Sequence, residues 1–162
     1  MNAYVGLGSN LGDRAGNLLF AIRGMLEAGL EVNRLSQVYE TEPVETFAQP
    51  NYLNMVAELR GHDLPEPQEV LARLMRIEQS HGRTREVAMA PRTIDLDLLL
   101  YGNETSSHDY LTLPHPRLHL RKFVLVPLAE LAPRLVHPVL QKTIVQLLES
   151  VTDDSAVRLW TP

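Results

Sequence analysis

A pair of aspartates interrupts the most apolar stretch of this chain, Ile94-Asp95-Leu96-Asp97-Leu98-Leu99-Leu100-Tyr101. The alternation predicts a strand over residues 94–101, because successive side chains of extended backbone point to opposite faces. Asp95 and Asp97 then share one face, while Ile94, Leu96, Leu98 and Leu100 share the other and meet a core. Aspartate is a poor strand former, and two acids held side by side repel unless a positive charge lies between them. An Asp-x-Asp by itself also arises as a solvated edge. Here Arg92 stands three residues before Asp95, suited to balancing phosphate charge beside a metal. Magnesium typically takes one or two carboxylates and completes its shell with substrate phosphates. The strand therefore reads as a metal and phosphate site.

The rest of the chain supplies the frame for such a strand. Residues 3–7 read as a buried strand, and Leu18, Leu19, Ile22, Met25 and Leu26 recur at helical spacing over residues 14–28. Residues 30–39 read as one strand, residues 42–50 as a proline-bearing loop, and residues 52–59 as a strand with Leu53, Met55, Ala57 and Leu59 on one face. Residues 65–81 repeat Val70, Leu71, Leu74, Met75, Ile77 and Glu78 as an amphipathic helix, and residues 82–91 form a polar loop. Helices are expected over residues 123–131 and 143–150, the latter capped by Thr143. The order strand, helix, strand, strand, helix, strand predicts an α+β ferredoxin-like sandwich with a C-terminal extension, as one domain over residues 1–162.

Charge narrows the partners. The 162 residues carry a net charge of −5 and only 6% aromatics, which argues against a nucleic-acid surface. Against that acidic background, arginines gather around the aspartate strand: Arg83 and Arg85 before it, Arg92 at its mouth, Arg121 beyond it. The planar fork of arginine pairs with phosphate oxygens and stays charged. His115, between Pro114 and Pro116, is held in a stiff stretch and is able to donate to a phosphate, although spacing alone does not single it out. There is no Gly-x-x-x-x-Gly-Lys-Ser/Thr run. The amino-terminal residues lack a signal-peptide pattern and no apolar run has membrane length, so a cytoplasmic location is expected.

Gly8-Ser9-Asn10-Leu11-Gly12, Tyr39-Glu40-Thr41-Glu42-Pro43, Gln49-Pro50-Asn51-Tyr52-Leu53-Asn54, Arg76-Ile77-Glu78, Gly82-Arg83-Thr84-Arg85, Pro91-Arg92-Thr93-Ile94-Asp95-Leu96-Asp97 and Leu113-Pro114-His115-Pro116-Arg117 together resemble the 6-hydroxymethyl-7,8-dihydropterin pyrophosphokinases. The resemblance implies transfer of pyrophosphate from ATP to the pterin alcohol, giving AMP. It implies that Asp95 and Asp97 bind two Mg2+, with Arg83 and Arg92 sharing the catalytic work. Glu78, Arg83, Arg85, Arg92, Leu98, Thr112, His115 and Arg121 would meet ATP. Thr41, Glu42, Val44, Tyr52, Asn54, Asp95 and Phe123 would meet the pterin. On their own, Tyr52 and Phe123 read equally well as core. One departure is Met89, at a loop position where the family often has tryptophan. The expected partners are small molecules only, with no nucleic acid or membrane, for a monomer. The rival readings are an RNA-binding module of the same fold, which would want a basic, aromatic sheet face, and a pseudoenzyme, against which both aspartates and the arginines speak.

Overall fold

A computed structural model describes residues 1–42, 50–81 and 93–162. In chain order the elements are β1 (Asn2–Ser9), α1 (Arg14–Glu27), β2 (Val32–Leu35), β3 (Tyr39–Thr41), β4 (Tyr52–Arg60), α2 (Pro67–Ser80), β5 (Asp95–Tyr101), β6 (Ser106–His108), β7 (Leu111–Leu113), a 3-10 turn (Leu118–Leu120), α3 (Lys122–Leu131), α4 (Ile144–Ser150) and β8 (Val157–Leu159). A six-stranded sheet runs β5-β1-β4-β3-β8, with β2 also beside β4, and its pairings are antiparallel. β6 and β7 form a separate hairpin.

Period-two alternation along β1 and β4 splits the apolar residues between two cores. Val5, Leu7, Met55, Ala57 and Leu96 pack against Leu18, Ala21 and Met25 of α1 and Val70, Leu74 and Ile77 of α2. Tyr4, Val56, Leu99 and Leu100 face the other way, against Leu125 and Leu128 of α3 and Ile144 and Leu147 of α4. The C-terminal extension is thus a third layer. Its helix α4 carries the predicted cap, in which the Thr143 side chain accepts from Gln146 N–H and the Gln146 side chain accepts from Thr143 N–H.

Three sequence expectations are corrected. Leu100 does not share the face of Leu96 and Leu98. The β1–β5 register steps from Val5↔Leu98 to Tyr4↔Leu100, so Leu99 is an extra residue, and a bulge of this kind reverses the alternation beyond it. The strand expected over residues 30–39 is two strands, because Ser36 breaks the ladder. Val56 N–H donates to Ser36 Oγ at 2.9 Å, a side-chain oxygen standing where a main-chain carbonyl would continue the pairing. Leu19, Leu26 and Met75 are exposed. In α1 the Leu18–Ala21–Met25 stripe takes the core, leaving their neighbours on its shoulder.

Beneath α3, a buried carboxylate ties three strands of the sheet to the end of that helix. Glu58 accepts from the Tyr4 hydroxyl at 2.7 Å, from Asn33 at 2.7 Å and from Arg34 at 3.0 and 2.8 Å, while Arg34 also donates to the Leu131 carbonyl at 2.6 Å. The Arg34 fork, more than offsetting burial, pulls the Glu58 carboxyl from its ordinary 4.5 down to about 2. A depressed carboxylate pKa contributes stability that is whole above the unfolded value and fades as pH falls from about 4.5 toward 2. Glu58→Gln is predicted to cost about 2 kcal/mol at pH 7, since it leaves Arg34 and Tyr4 facing a neutral amide. Urea melts at pH 7 and pH 3 check this: the gap between wild type and variant should narrow in acid, and a gap independent of pH would refute the ionised pairing.

Candidate active site

The site is set by what faces what across three strands. Residues paired across a sheet lie on the same face, and Gly8 pairs with Asn54 on β4 and with Asp95 on β5. The next row on that face is Val56, Gly6 and Asp97. Asp95 and Asp97 therefore do project together, Asp95 half-buried and Asp97 exposed, as the alternation requires. Between them and Asn54, β1 offers only glycines on this face. A Cβ on Gly8 would stand 2.7 Å from Asn54 Oδ1 and 3.6 Å from Tyr52 Cδ1, and one on Gly6 would meet Leu99 at 3.5 Å. The result is a narrow trough along β1 with carboxylates on one wall and an amide and a phenol on the other; buried Gly8 lies close beneath Asn54 and Tyr52, and Leu99 closes the Gly6 end. Gly6 and Gly8 were not among the expected site residues. Their two-residue spacing inside a strand, where glycine marks close approach of another group, was the available signal.

Asn54 is buried and donates from Nδ2 to Thr41 Oγ1 at 2.6 Å, so its amide is fixed rather than free to turn. Thr41 is buried too, and Glu42 beside it is exposed. Phe123, in the first turn of α3, is half-buried against the second core with the Arg121 guanidinium 5.5 Å from its ring centroid. Arg121 and Phe123 thus form a cation–aromatic pair that leaves the guanidinium charge available.

His115 is tethered to the aspartate strand through its main chain, His115 N–H donating to the Leu99 carbonyl at 2.9 Å. Arg117 N–H donates to His115 Nδ1 at 3.2 Å, which leaves the ring proton on Nε2. Burial lowers the His115 pKa; the charge of Asp97 opposes this, and those of Arg121 and Arg117 reinforce it. At neutral pH the ring is a neutral Nε2–H donor, and its electrostatic neighbours include both a wall aspartate and Arg121.

Two expected nucleotide residues lie on the opposite face. Leu98 is in the α1/α2 core, and buried Glu78 accepts from Leu96 N–H at 3.2 Å. Thr112 is exposed on β7, donating to the His108 carbonyl at 3.2 Å. Val44, Arg83, Arg85, Met89 and Arg92 lie outside the described residues. Among the described residues no three acids or histidines converge as ready metal ligands. The donor set is instead two hard oxygen ligands, one half-buried and one exposed, which fits an ion that takes its remaining ligands from a substrate.

Two hard oxygen ligands and a fixed amide on either side of a glycine-bearing strand suit the binding of a small polar molecule beside a metal ion. The 7,8-dihydro-6-hydroxymethylpterin-pyrophosphokinase (HPPK) family matches residues 4–133, and the chain belongs to it. A Synechocystis 2-amino-4-hydroxy-6-hydroxymethyldihydropteridine pyrophosphokinase is 46% identical over 92% of this chain and 75% of its own length. The Bacillus subtilis enzyme of the same name is 40% identical over 98% of this chain and 89% of its own. Among solved structures, Plasmodium falciparum HPPK-DHPS A437G superposes with a TM-score of 0.70 at 15% identity. That match covers 91% of this chain but 45% of the Plasmodium chain, so this chain spans less than half of that protein. At that identity the likeness shows a shared fold.

Proposed function

We propose that the chain performs its family's reaction, pyrophosphate transfer from ATP to 6-hydroxymethyl-7,8-dihydropterin to give AMP and the pterin diphosphate, in the trough at Gly8. The observation that carries this placement is the Asp95–Gly8–Asn54 row. It sets a carboxylate one strand away on one side and the amide one strand away on the other, with no β1 side chain at Gly8 between them. A flat heterocycle fits over a glycine floor. Asn54 and the main chain around Thr41 to Val44 meet its polar edge, Tyr52 and Phe123 its faces, and Glu42 borders the entrance.

Asp95 and Asp97 would hold two Mg2+, which when bound would neutralise the polyphosphate and favour ionisation of the pterin hydroxyl. Positioning does most of the work in phosphoryl transfer. Arg83, Arg85, Arg92 and Arg121 clamp the phosphate oxygens. His115, neutral with its proton on Nε2, donates to a phosphate without adding charge. Thr112 and the buried carboxylate of Glu78 border the nucleotide. Leu98 reaches it through the main chain of β5, which is the outermost strand at its side of the sheet. As AMP departs, the arginines neutralise its growing negative charge.

The same reading extends to the whole molecule. With β2 and β3 taken as one interrupted strand, the order β5-β1-β4-β2/β3 and the sequence of helices support the reading of a ferredoxin-like core carrying a C-terminal extension. We take residues 1–162 as a single pyrophosphokinase domain, monomeric and cytoplasmic, with small-molecule partners. No helix among the described residues is long and apolar enough to cross a membrane. Covering of one sheet face by α1 and α2 and of the other by α3 and α4 speaks against an RNA-binding sheet.

ATP binding is predicted to require magnesium and not pterin, because bare polyphosphate would face two uncompensated carboxylates. Titration calorimetry with a non-hydrolysable ATP analogue, with Mg2+ and then with EDTA, tests this. Equal affinity in both would remove the aspartates from the metal's shell.

A further inference from the structure

At the end of β1, polar side chains from four segments knot together. Asn17, buried in α1, donates from Nδ2 to Ser9 Oγ at 3.0 Å, to the Leu11 carbonyl at 2.8 Å and to the Thr93 carbonyl at 3.3 Å. Ser9 Oγ also donates to the Thr93 carbonyl, at 2.6 Å. The Asn17 Oδ1 lies 2.6 Å from His81 Nε2. An amide oxygen only accepts, so His81 carries its proton on Nε2 and donates it to Asn17. Phe20, nearly one turn further along α1, stacks on the His81 ring with centroids 3.9 Å apart at 23°.

The knot joins two points far apart in the chain. His81 is the C-cap of α2, Thr93 stands two residues before Asp95, and Thr93 Oγ1 donates to the His81 carbonyl at 2.8 Å across twelve positions. Helix formation does not ask for asparagine in α1, since its side chain competes with the backbone for hydrogen bonds. Here that side chain connects the start of β5 to the end of α2 instead.

We infer that Asn17 and His81 are positioning residues for the nucleotide half of the reaction. They fix the point from which the chain leaves α2 toward Arg83 relative to the strand that bears Asp95 and Asp97. The inference rests on the assignment of Arg83 and Arg92 to the phosphates of ATP. Asn17 and His81 touch neither substrate; they act through the arginines.

The test uses His81→Ala, which removes the ring donor and keeps the main-chain bond from Thr93. Loss of one buried hydrogen bond is worth roughly a tenfold change, so KM for ATP should rise about tenfold. Pterin affinity, measured without nucleotide, should stay within about twofold. His81→Gln retains an N–H donor and should recover most of the loss, which a purely steric role of the ring would not predict. If His81→Ala melts below the assay temperature, His81→Leu keeps the apolar contact with Phe20 and decides in the same way. Adding Arg83→Ala to the His81 variant should cause no loss in kcat/KM for ATP beyond that of Arg83→Ala alone. Additive losses, equal weakening of both substrates, or an unchanged ATP KM in folded His81→Ala would each overturn the positioning role while Arg83 keeps its own. If Arg83→Ala itself leaves the ATP KM unchanged, the arginine assignment falls, and the positioning role falls with it.

Discussion

Turnover is expected to drop by roughly a hundredfold or more in Asp95→Ala and in Asp97→Ala, as when a preorganised electrostatic group is removed from other active sites. The fold should survive both changes. Asp97 is exposed and Asp95 half-buried on the strand's open face, while Leu96 and Leu98 between and beside them keep the core contacts. On the proposed reading, each variant removes one of the oxygen ligands that hold metal against phosphate. The loss should therefore appear in kcat and in the magnesium dependence rather than in pterin affinity. Circular dichroism, melting temperature and steady-state kinetics over a magnesium series check it. Near wild-type turnover in either folded variant would end the metal assignment.

The second large effect is expected at Gly8, a residue with no side chain of its own to remove. Gly8→Ala places a Cβ 2.7 Å from Asn54 Oδ1, closer than such atoms approach. The strand need not move, because the end of a side chain gives way first. Asn54 must then turn or withdraw, and its 2.6 Å bond to Thr41 is lost or bent. The new methyl also occupies the trough floor. Together these should weaken pterin binding by roughly tenfold to a hundredfold, the range expected when a buried polar group loses its partner. Nucleotide affinity should stay within about twofold, since the aspartate wall is untouched. Equilibrium titrations with each ligand alone separate the two. Equal weakening of both, or of neither, would mean that the glycine floor is not where the pterin lies.

The parts of this site that follow local periodicity were legible in the sequence. Alternation placed Asp95 and Asp97 on one face and Leu53, Met55, Ala57 and Leu59 on another, and both groupings hold. The Thr143 cap was legible because its partner, Gln146, is three residues away. What escaped depends on pairing between distant segments. The bulge at Leu99 exists only as a register step against β1, and no residue near it announces the reversal that carries Leu100 to the other core. β8 was missed because it is a short edge strand held by pairing with β3, which lies more than a hundred residues earlier. Gly6 falls inside the strand expected over residues 3–7 and Gly8 just beyond it, and neither stands out as part of a site until β4 and β5 are set on either side of β1. Tyr52 and Phe123 read as core or ligand surface alike, and both are half-buried, as suits a side chain with one face packed and one face open.

The central claim is that this trough joins the pterin hydroxyl to the β-phosphorus of ATP. Phosphorus NMR of a reaction containing enzyme, magnesium, ATP and 6-hydroxymethyl-7,8-dihydropterin tests it most directly. The expected spectrum shows AMP and the pterin diphosphate rising together in equal amounts, with no ADP. Formation of ADP with a pterin monophosphate, or of ADP with free phosphate, would place the attack at the γ-phosphorus and contradict the account.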